Sequence, residues 1–240
     1  MTIKLTLQRR RVTFTLAFCA GLLVLIHSIV LTAYYLINNP DVFDFVRLID
    51  LDYEGNIPTL FSALLFFFNG LLLYLMYQAS AQSSAKSNAA GGSSGSGYWL
   101  GLALIFCYLG VDEGTRLHEE IGDIFENIVV ADGLLYFPWV VPYSAALLIA
   151  VLIYFKFYLG LERSLQVRLF VSAVVFLSGA VGVEMLSAQE ASVAGTSSLT
   201  YSVLYTIEES LEMAGLIILS DTLLGVLAGR KGSELSLRFR

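Results

Sequence analysis

The run "VTFTLAFCAGLLVLIHSIVLTAYYLI", residues 12–37, decides the class of fold. It contains no Asp, Glu, Lys or Arg and exceeds the roughly 20 apolar residues that a helix needs to cross a bilayer. The whole chain has the same character, because 57% of its 240 residues are hydrophobic and 14% are charged. A soluble domain carries about 25% charged residues. The composition therefore excludes a soluble globular protein and predicts a polytopic membrane protein.

Five further apolar runs follow, so we predict an all-α bundle of six transmembrane helices forming one domain over residues 1–240. The predicted spans are residues 12–37, 58–78, 98–118, 138–160, 167–187 and 202–228. Tyrosine and tryptophan residues lie near the ends of these runs, at the interfacial level that such rings prefer. Residues 79–97, "ASAQSSAKSNAAGGSSGSG", have the Gly/Ser-rich composition of a flexible linker on the cytoplasmic side.

The distribution of Lys and Arg predicts the orientation of the chain. All of these residues except Arg47 and Arg116 fall in the N-terminal segment, the connections after the second and fourth spans, and the C-terminal tail. Lys and Arg favour the cytoplasmic side of a membrane. We therefore expect both termini in the cytoplasm and the protein in the cell inner (plasma) membrane. The lipid bilayer is the expected partner, and a nucleic acid is not.

The segment "LGVDEGTRLHEEIG", residues 109–122, places charge at the outer end of the third span. With a helical rise of about 1.5 Å per residue, Glu113, Glu184, Glu208 and Glu212 all fall in the outer half of the bundle, and His118 lies near its boundary. A carboxylate in hydrocarbon costs several kcal/mol unless it is paired, protonated or wetted. We therefore expect these side chains to converge on an outward-opening pocket between the third, fifth and sixth spans.

Three of these carboxylates and the histidine form a ligand set that suits iron, zinc or manganese. The predicted metal ligands are His118, Glu184, Glu208 and Glu212. Glu113 is then the acid/base residue of a metal-dependent oxidoreductase or hydrolase that acts on a lipid or an outer-face substrate.

Further candidates for the site lie close to these residues in the sequence. They are His27, Asp112, Glu209 and Arg116. Asp112 and Arg116 are four residues apart, so they can pair along the third span. His27 has a second interpretation, because a lone histidine in an apolar helix is more often a hydrogen-bonded core residue. The remaining acids of residues 119–126 are expected to form a solvated face.

Two other interpretations of the acids stay open beside the metal site. Carboxylates at different depths are also typical of a non-enzymatic pathway for protons or cations, although the inner half of the spans is almost free of polar residues. Alternatively, the acids form a purely structural network that fixes helix packing, or they bind another ligand.

Three blocks of the sequence resemble a family of uncharacterised bacterial multipass membrane proteins. The blocks are residues 48–66, 108–122 and 205–219, with the patterns D-L-D-x-E-x-N-x-P-T, D-E-x-x-x-L-H-E and E-E-x-L-E-M-x-G. The patterned residues are Asp50, Asp52, Glu54, Asn56, Pro58, Asp112, Glu113, His118, Glu119, Glu208, Glu209, Glu212 and Gly215.

The resemblance implies a shared site at the outer surface but brings no activity with it. Asp50, Asp52, Glu54 and Asn56 would form its outer rim, as a roof or as oxygen ligands for a hard cation such as calcium. Turn chemistry around Gly55 explains the same residues without a ligand.

Overall fold

The computed structural model describes residues 3–37, 43–86, 95–126, 128, 130–229 and 234–239. Its helices are α1 (Arg9–Ile37), α2 (Phe43–Ile49), α3 (Ile57–Lys86), α4 (Ser96–Thr115), α5 (Leu117–Phe125), α6 (Val140–Leu159), α7 (Arg163–Leu177), α8 (Glu184–Ala194) and α9 (Leu199–Ala228). A short 3-10 helix covers Gly133–Leu135, and a π-helical segment, Ser178–Val183, joins α7 to α8. Strands β1 (Ile3–Gln8) and β2 (Glu234–Phe239) pair antiparallel.

Five helical stretches are long and apolar enough to cross a membrane, which confirms the prediction of a helical membrane protein. They are Arg9–Ile37, Ile57–Gln82, Val140–Leu159, Arg163–Ala194 and Leu199–Ala228. The predicted third span corresponds to α4, which has 20 residues and carries two carboxylates in its last turn. The first eight residues of the predicted linker, 79–86, are helical as the end of α3. Residues 87–94 lie outside the described part of the chain.

Helix α4 lies antiparallel along α3, with the two backbones in close approach. A Cβ atom on Gly110 would lie 3.3 Å from the carbonyl oxygen of Ala63, and one on Gly70 would lie 3.4 Å from that of Ala103. Small residues permit such close packing in membrane bundles, where van der Waals contact replaces the hydrophobic effect between helices. The contact fixes the end of α4 beside the start of α3.

Helix α9 is the central helix, in contact with α1, α3, α7 and α8. Buried polar side chains hold two of these contacts. Asn69 of α3 donates to the carbonyl oxygen of Leu216 at 3.1 Å and accepts from the Ser220 hydroxyl at 3.0 Å. Ser172 of α7 donates to the carbonyl oxygen of Gly215 at 2.8 Å. Such interhelical hydrogen bonds contribute roughly 0.6 kcal/mol each in membrane proteins.

Glycines allow α7 and the π-helical segment to approach α9. A Cβ atom on Gly215 would lie 2.6 Å from Cβ of Phe176, and one on Gly179 would lie 2.6 Å from the carbonyl oxygen of Glu208. Gly215 is the last residue of the pattern E-E-x-L-E-M-x-G in the third sequence block. The close contact with Phe176 is the physical reason for a glycine at this position. The π-helical segment shifts the helical register, and Glu184 follows it directly with a buried side chain.

The start of α1 and the end of α9 lie at the same end of the bundle. Arg9 donates from Nε to Oδ1 of Asp221 at 2.7 Å, and Thr13 donates to the same oxygen at 2.9 Å. The paired strands β1 and β2 continue from these two helix ends. The opposite end of the bundle holds the loop between α2 and α3, helix α5 and the start of α9.

Candidate functional site

A cavity of about 580 Å³ lies at the end of the bundle opposite the termini. Helices α4, α5, α8 and α9 and the loop between α2 and α3 contribute to its lining. Its carboxylates are Asp52, Glu54, Asp112, Glu113, Glu119, Asp123, Glu126, Glu184, Glu208, Glu209 and Glu212. His118 is the one basic side chain among the described residues that line it. The structure thus brings all five principal predicted residues, and Asp112 and Glu209, to one cavity.

Three side chains at the outer part of the cavity lie close enough to share an ion. Glu54, His118 and Glu119 each offer a ligand atom, and these atoms lie within 4.8 Å of one another. We call these residues the mouth group. Nε2 of His118 lies 3.3 Å from Oε1 of Glu54. The predicted ligands Glu184, Glu208 and Glu212 line the same cavity but lie outside this group.

Asp112 holds His118 in place. Oδ1 of Asp112 accepts a hydrogen bond from the backbone N–H of His118 at 2.6 Å and lies 3.5 Å from its Nδ1. The ring of His118 also packs against Trp139, with 5.0 Å between the ring centroids. Nε2 is thereby aimed at the cavity while Nδ1 faces the Asp112 carboxylate.

The chain bends sharply between α4 and α5, and this bend creates the mouth group. Arg116 adopts a left-handed conformation with φ 61° and ends α4. The Arg116 N–H still donates to the carbonyl oxygen of Asp112 at 2.8 Å, but within the described part of the chain no ion pair joins the two side chains. Instead, Nε of Arg116 lies 3.2 Å from Oε2 of Glu54, and its guanidinium also pairs with Glu119.

Electrostatics at the mouth favour protonation near neutral pH. Burial raises the pKa of Glu54 to about 7, against the opposing attraction of His118. Burial lowers the pKa of His118, but its hydrogen bond to Asp112 and the charge of Glu54 outweigh that effect and raise it above the usual value.

A second set of carboxylates lies deeper, on the helices themselves. We call Glu113, Glu184, Glu208, Glu209 and Glu212 the floor group. The Ser187 hydroxyl lies 3.1 Å from Oε2 of Glu208 and 3.5 Å from Oε2 of Glu184, and both carboxylates are buried. Glu113, Glu209 and Glu212 line the cavity and accept no hydrogen bond from any described residue.

The first sequence block builds the roof of the cavity. The Asn56 side chain donates to the carbonyl oxygen of Asp50 at 2.6 Å and accepts from the N–H of Thr59 at 3.1 Å, which caps α3. Tyr201 of α9 donates to Oδ1 of Asp52 at 2.8 Å. Of the four predicted rim residues, Asp52 and Glu54 line the cavity, whereas Asp50 and Asn56 shape the loop. Gly55 has φ 79°, so turn chemistry explains part of this block.

His27 of α1 lies outside the cavity lining. Its Nδ1 accepts from the N–H of Leu51 at 3.3 Å, and its Nε2 lies 3.0 Å from the Thr206 hydroxyl. The side chain is 1% exposed. Both ring nitrogens therefore have protein partners, and His27 is a hydrogen-bonded core residue.

Some lining residues escaped the sequence analysis. Glu119, Asp123 and Glu126 are exposed, as expected of a solvated face, and they also line the cavity. Their spacing of four and three residues places them on one face of a helix, which is the signal that could have identified them. Glu120, which is off that face, does not line the cavity. The aromatic wall, including Trp139, carried no comparable signal.

Apolar helices around an acidic, histidine-containing cavity define a helical membrane protein with a candidate ligand site. Residues 14–226 match the family model described as "Domain of unknown function (DUF8692)". The chain belongs to this family, which confirms the expected membership of an uncharacterised family. No curated protein matches the chain, and no solved structure does.

Proposed function

We propose that the protein crosses the bacterial inner membrane six times, with both termini in the cytoplasm. The contact of Arg9 with Asp221 supports this topology, since two chain ends on one side require an even number of spans. Helix α4 is then a membrane span in addition to the other five, the third in chain order, and it lies antiparallel to α3. The Lys- and Arg-rich connections lie at the same end of the bundle as the two termini. By the positive-inside rule, this end is the cytoplasmic one. The cavity opens on the other side.

We propose that the mouth group binds a divalent metal ion. The observation that carries this proposal is the close approach of ligand atoms from Glu54, His118 and Glu119. One imidazole and two carboxylates suit zinc, iron or manganese. Asp112 stands behind the imidazole, as second-layer carboxylates do at metal-binding histidines.

The Glu54 carboxylate also fits this assignment. Its Oε2 atom is buried and accepts no hydrogen bond from the described part of the chain. Arg116 provides an ion-pair contact at 3.2 Å without completing a hydrogen bond. Glu54 therefore has an acceptor atom available for an additional cation, and Arg116, which is about half exposed, is free to move aside.

A bound divalent ion would supply Lewis-acid chemistry and activate water, and Glu113 is suited to exchange a proton beside it. Glu113 interacts electrostatically with Glu54 and His118 on one side and with Glu209 and Glu212 on the other. Among the acids it thus connects the mouth with the floor. This supports a metal-dependent enzyme over a passive metal store.

One observation favours proton handling as a second candidate. The Ser187 hydroxyl lies within 3.5 Å of the carboxyl groups of both Glu184 and Glu208, which are buried. Buried carboxyl groups gathered around one hydroxyl inside a membrane bundle are typical of proton-handling sites. Proton uptake without any metal would favour this candidate.

Metal analysis of the full chain, purified in detergent and loaded with zinc, manganese or iron(II), tests the metal proposal. We expect about one ion per chain. The His118→Ala and Glu54→Gln variants should lose it, and Asp112→Asn should weaken binding roughly 10–100-fold. Glu120→Gln is the matched control on the same helix and should bind normally. Binding that survives His118→Ala would refute the proposed site.

A further inference from the structure

The cavity is much larger than a metal site requires. A water molecule accounts for about 30 Å³ of liquid volume, whereas the cavity measures about 580 Å³. Pockets for small organic ligands measure roughly 300–1,000 Å³. The mouth group uses two of the lining carboxylates, so most of the volume and most of the acids remain available to another ligand.

The negative charge of the cavity lining favours a positively charged ligand. Glu113, Glu209 and Glu212 face the cavity without a hydrogen-bond donor among the described residues. The described lining contributes His118 as its single basic residue. A phosphate or carboxylate ligand would meet like charge in a low-dielectric site, which costs several kcal/mol. A cation is attracted there.

The geometry favours an organic cation over a second metal ion. Within the described residues, the mouth group is the one set of three or more side chains whose ligand atoms lie within 4.8 Å of one another. The floor acids thus do not form a compact metal cage. Aromatic rings line the same space, among them Phe66, Phe176, Tyr201 and Tyr205. Ring faces attract organic ammonium groups and accommodate carbon chains.

We propose that the cavity below the mouth group binds an organic cation carrying one or more ammonium groups. The floor group matches its charge, and the rings contact its carbon skeleton. Tyr201, which donates to the lining acid Asp52, and Glu212 are eleven residues apart on α9, or about 16 Å along the helix. The lining acids therefore lie at different depths, and a ligand whose charges are several carbons apart contacts more than one of them. This inference goes beyond the metal site and does not require an ion to be bound.

Titration calorimetry with diaminooctane tests the proposal, using the full chain in detergent with a chelator present. Octanediol and suberate are the neutral and anionic controls of the same length. We expect the diamine to bind and both controls to fail. The double variant Glu209→Gln, Glu212→Gln should weaken diamine binding about tenfold or more, which corresponds to about 1.4 kcal/mol. Glu120→Gln, outside the cavity, should leave it unchanged.

The same variants separate this proposal from the metal site. His118→Ala should abolish metal binding and retain the diamine, whereas the glutamine double variant should retain the metal. Octanediol binding equal to that of the diamine would overturn the proposal, as would a diamine affinity that depends on His118 alone. Fluorescence of Trp139, which lines the cavity, provides a readout in the unmutated chain. An unchanged spectrum at saturating diamine would also overturn it.

Discussion

Gly179→Ala is expected to force the π-helical segment away from α9. The added Cβ atom would lie 2.6 Å from the carbonyl oxygen of Glu208 and 3.1 Å from side-chain atoms of Leu211 and Glu212. Ordinary van der Waals contact begins at 3.4 Å, so the two backbones must separate by about 0.8 Å at this point. A backbone oxygen cannot rotate away as a flexible side chain can. Overpacking of this kind costs about 1–3 kcal/mol.

Unfolding of the variant in detergent, measured by circular dichroism, should show this loss of stability. Gly182→Ala is the matched control, because a Cβ atom there would meet only the carbonyl oxygen of Leu177 at 3.9 Å. The control should be neutral or more stable by up to about 1 kcal/mol, since alanine favours helix over glycine. Gly182 is also exposed, so an added methyl group there displaces no neighbouring helix. Equal stability of the two variants would refute the reasoning.

Three further predictions concern the mouth group. Glu54, with its pKa raised to about 7, and His118, with its raised pKa, must both lose a proton before they bind a metal. Metal affinity should therefore rise with pH through about 7, by up to about tenfold per pH unit for each proton released. A flat profile in a pH series of binding titrations would contradict this. Arg116→Gln removes a competing but half-exposed cation, so affinity should rise by about threefold in the same assay; a decrease would show that Arg116 supports the site. Asn56→Ala removes the side chain that accepts from the Thr59 N–H and caps α3, so it should destabilise the protein by about 1 kcal/mol and weaken metal binding. Unchanged metal affinity would show that the loop does not position the metal ligands.

Hydropathy predicted the spans because the lipid imposes both their length and their composition. It failed where helices continue inside protein. The predicted fifth span ends at residue 187, but the helical stretch continues to Ala194. In that extension Ala188 and Ala191 are buried. Small residues of this kind contribute little to a hydropathy signal, although they allow close packing against neighbouring helices.

Convergence of the acids was predictable, but their partition into two groups was not. The cost of a carboxylate in hydrocarbon predicts that Glu113, Glu184 and Glu208 face one interior space, and all three line the cavity. The grouping of His118 depends instead on the single left-handed residue at Arg116. Arginine carries no local signal for that conformation, so the sequence could not place the bend, and Arg116 remained a possible partner for Asp112.

The distribution of charge along α9 argues for a cavity closed at its inner end. Glu212 and Asp221 are nine residues apart, about 13 Å along the helix, and "MAGLIILS" between them contains no ionisable side chain. Most of these residues are buried against neighbouring helices, and the polar Ser220 is hydrogen bonded to Asn69. A pathway for ions would need polar groups through this layer, because isolated charge in a low-dielectric core is strongly disfavoured. Along α9, a ligand that reaches the floor group would therefore leave by the mouth through which it entered, which favours binding or catalysis over transport.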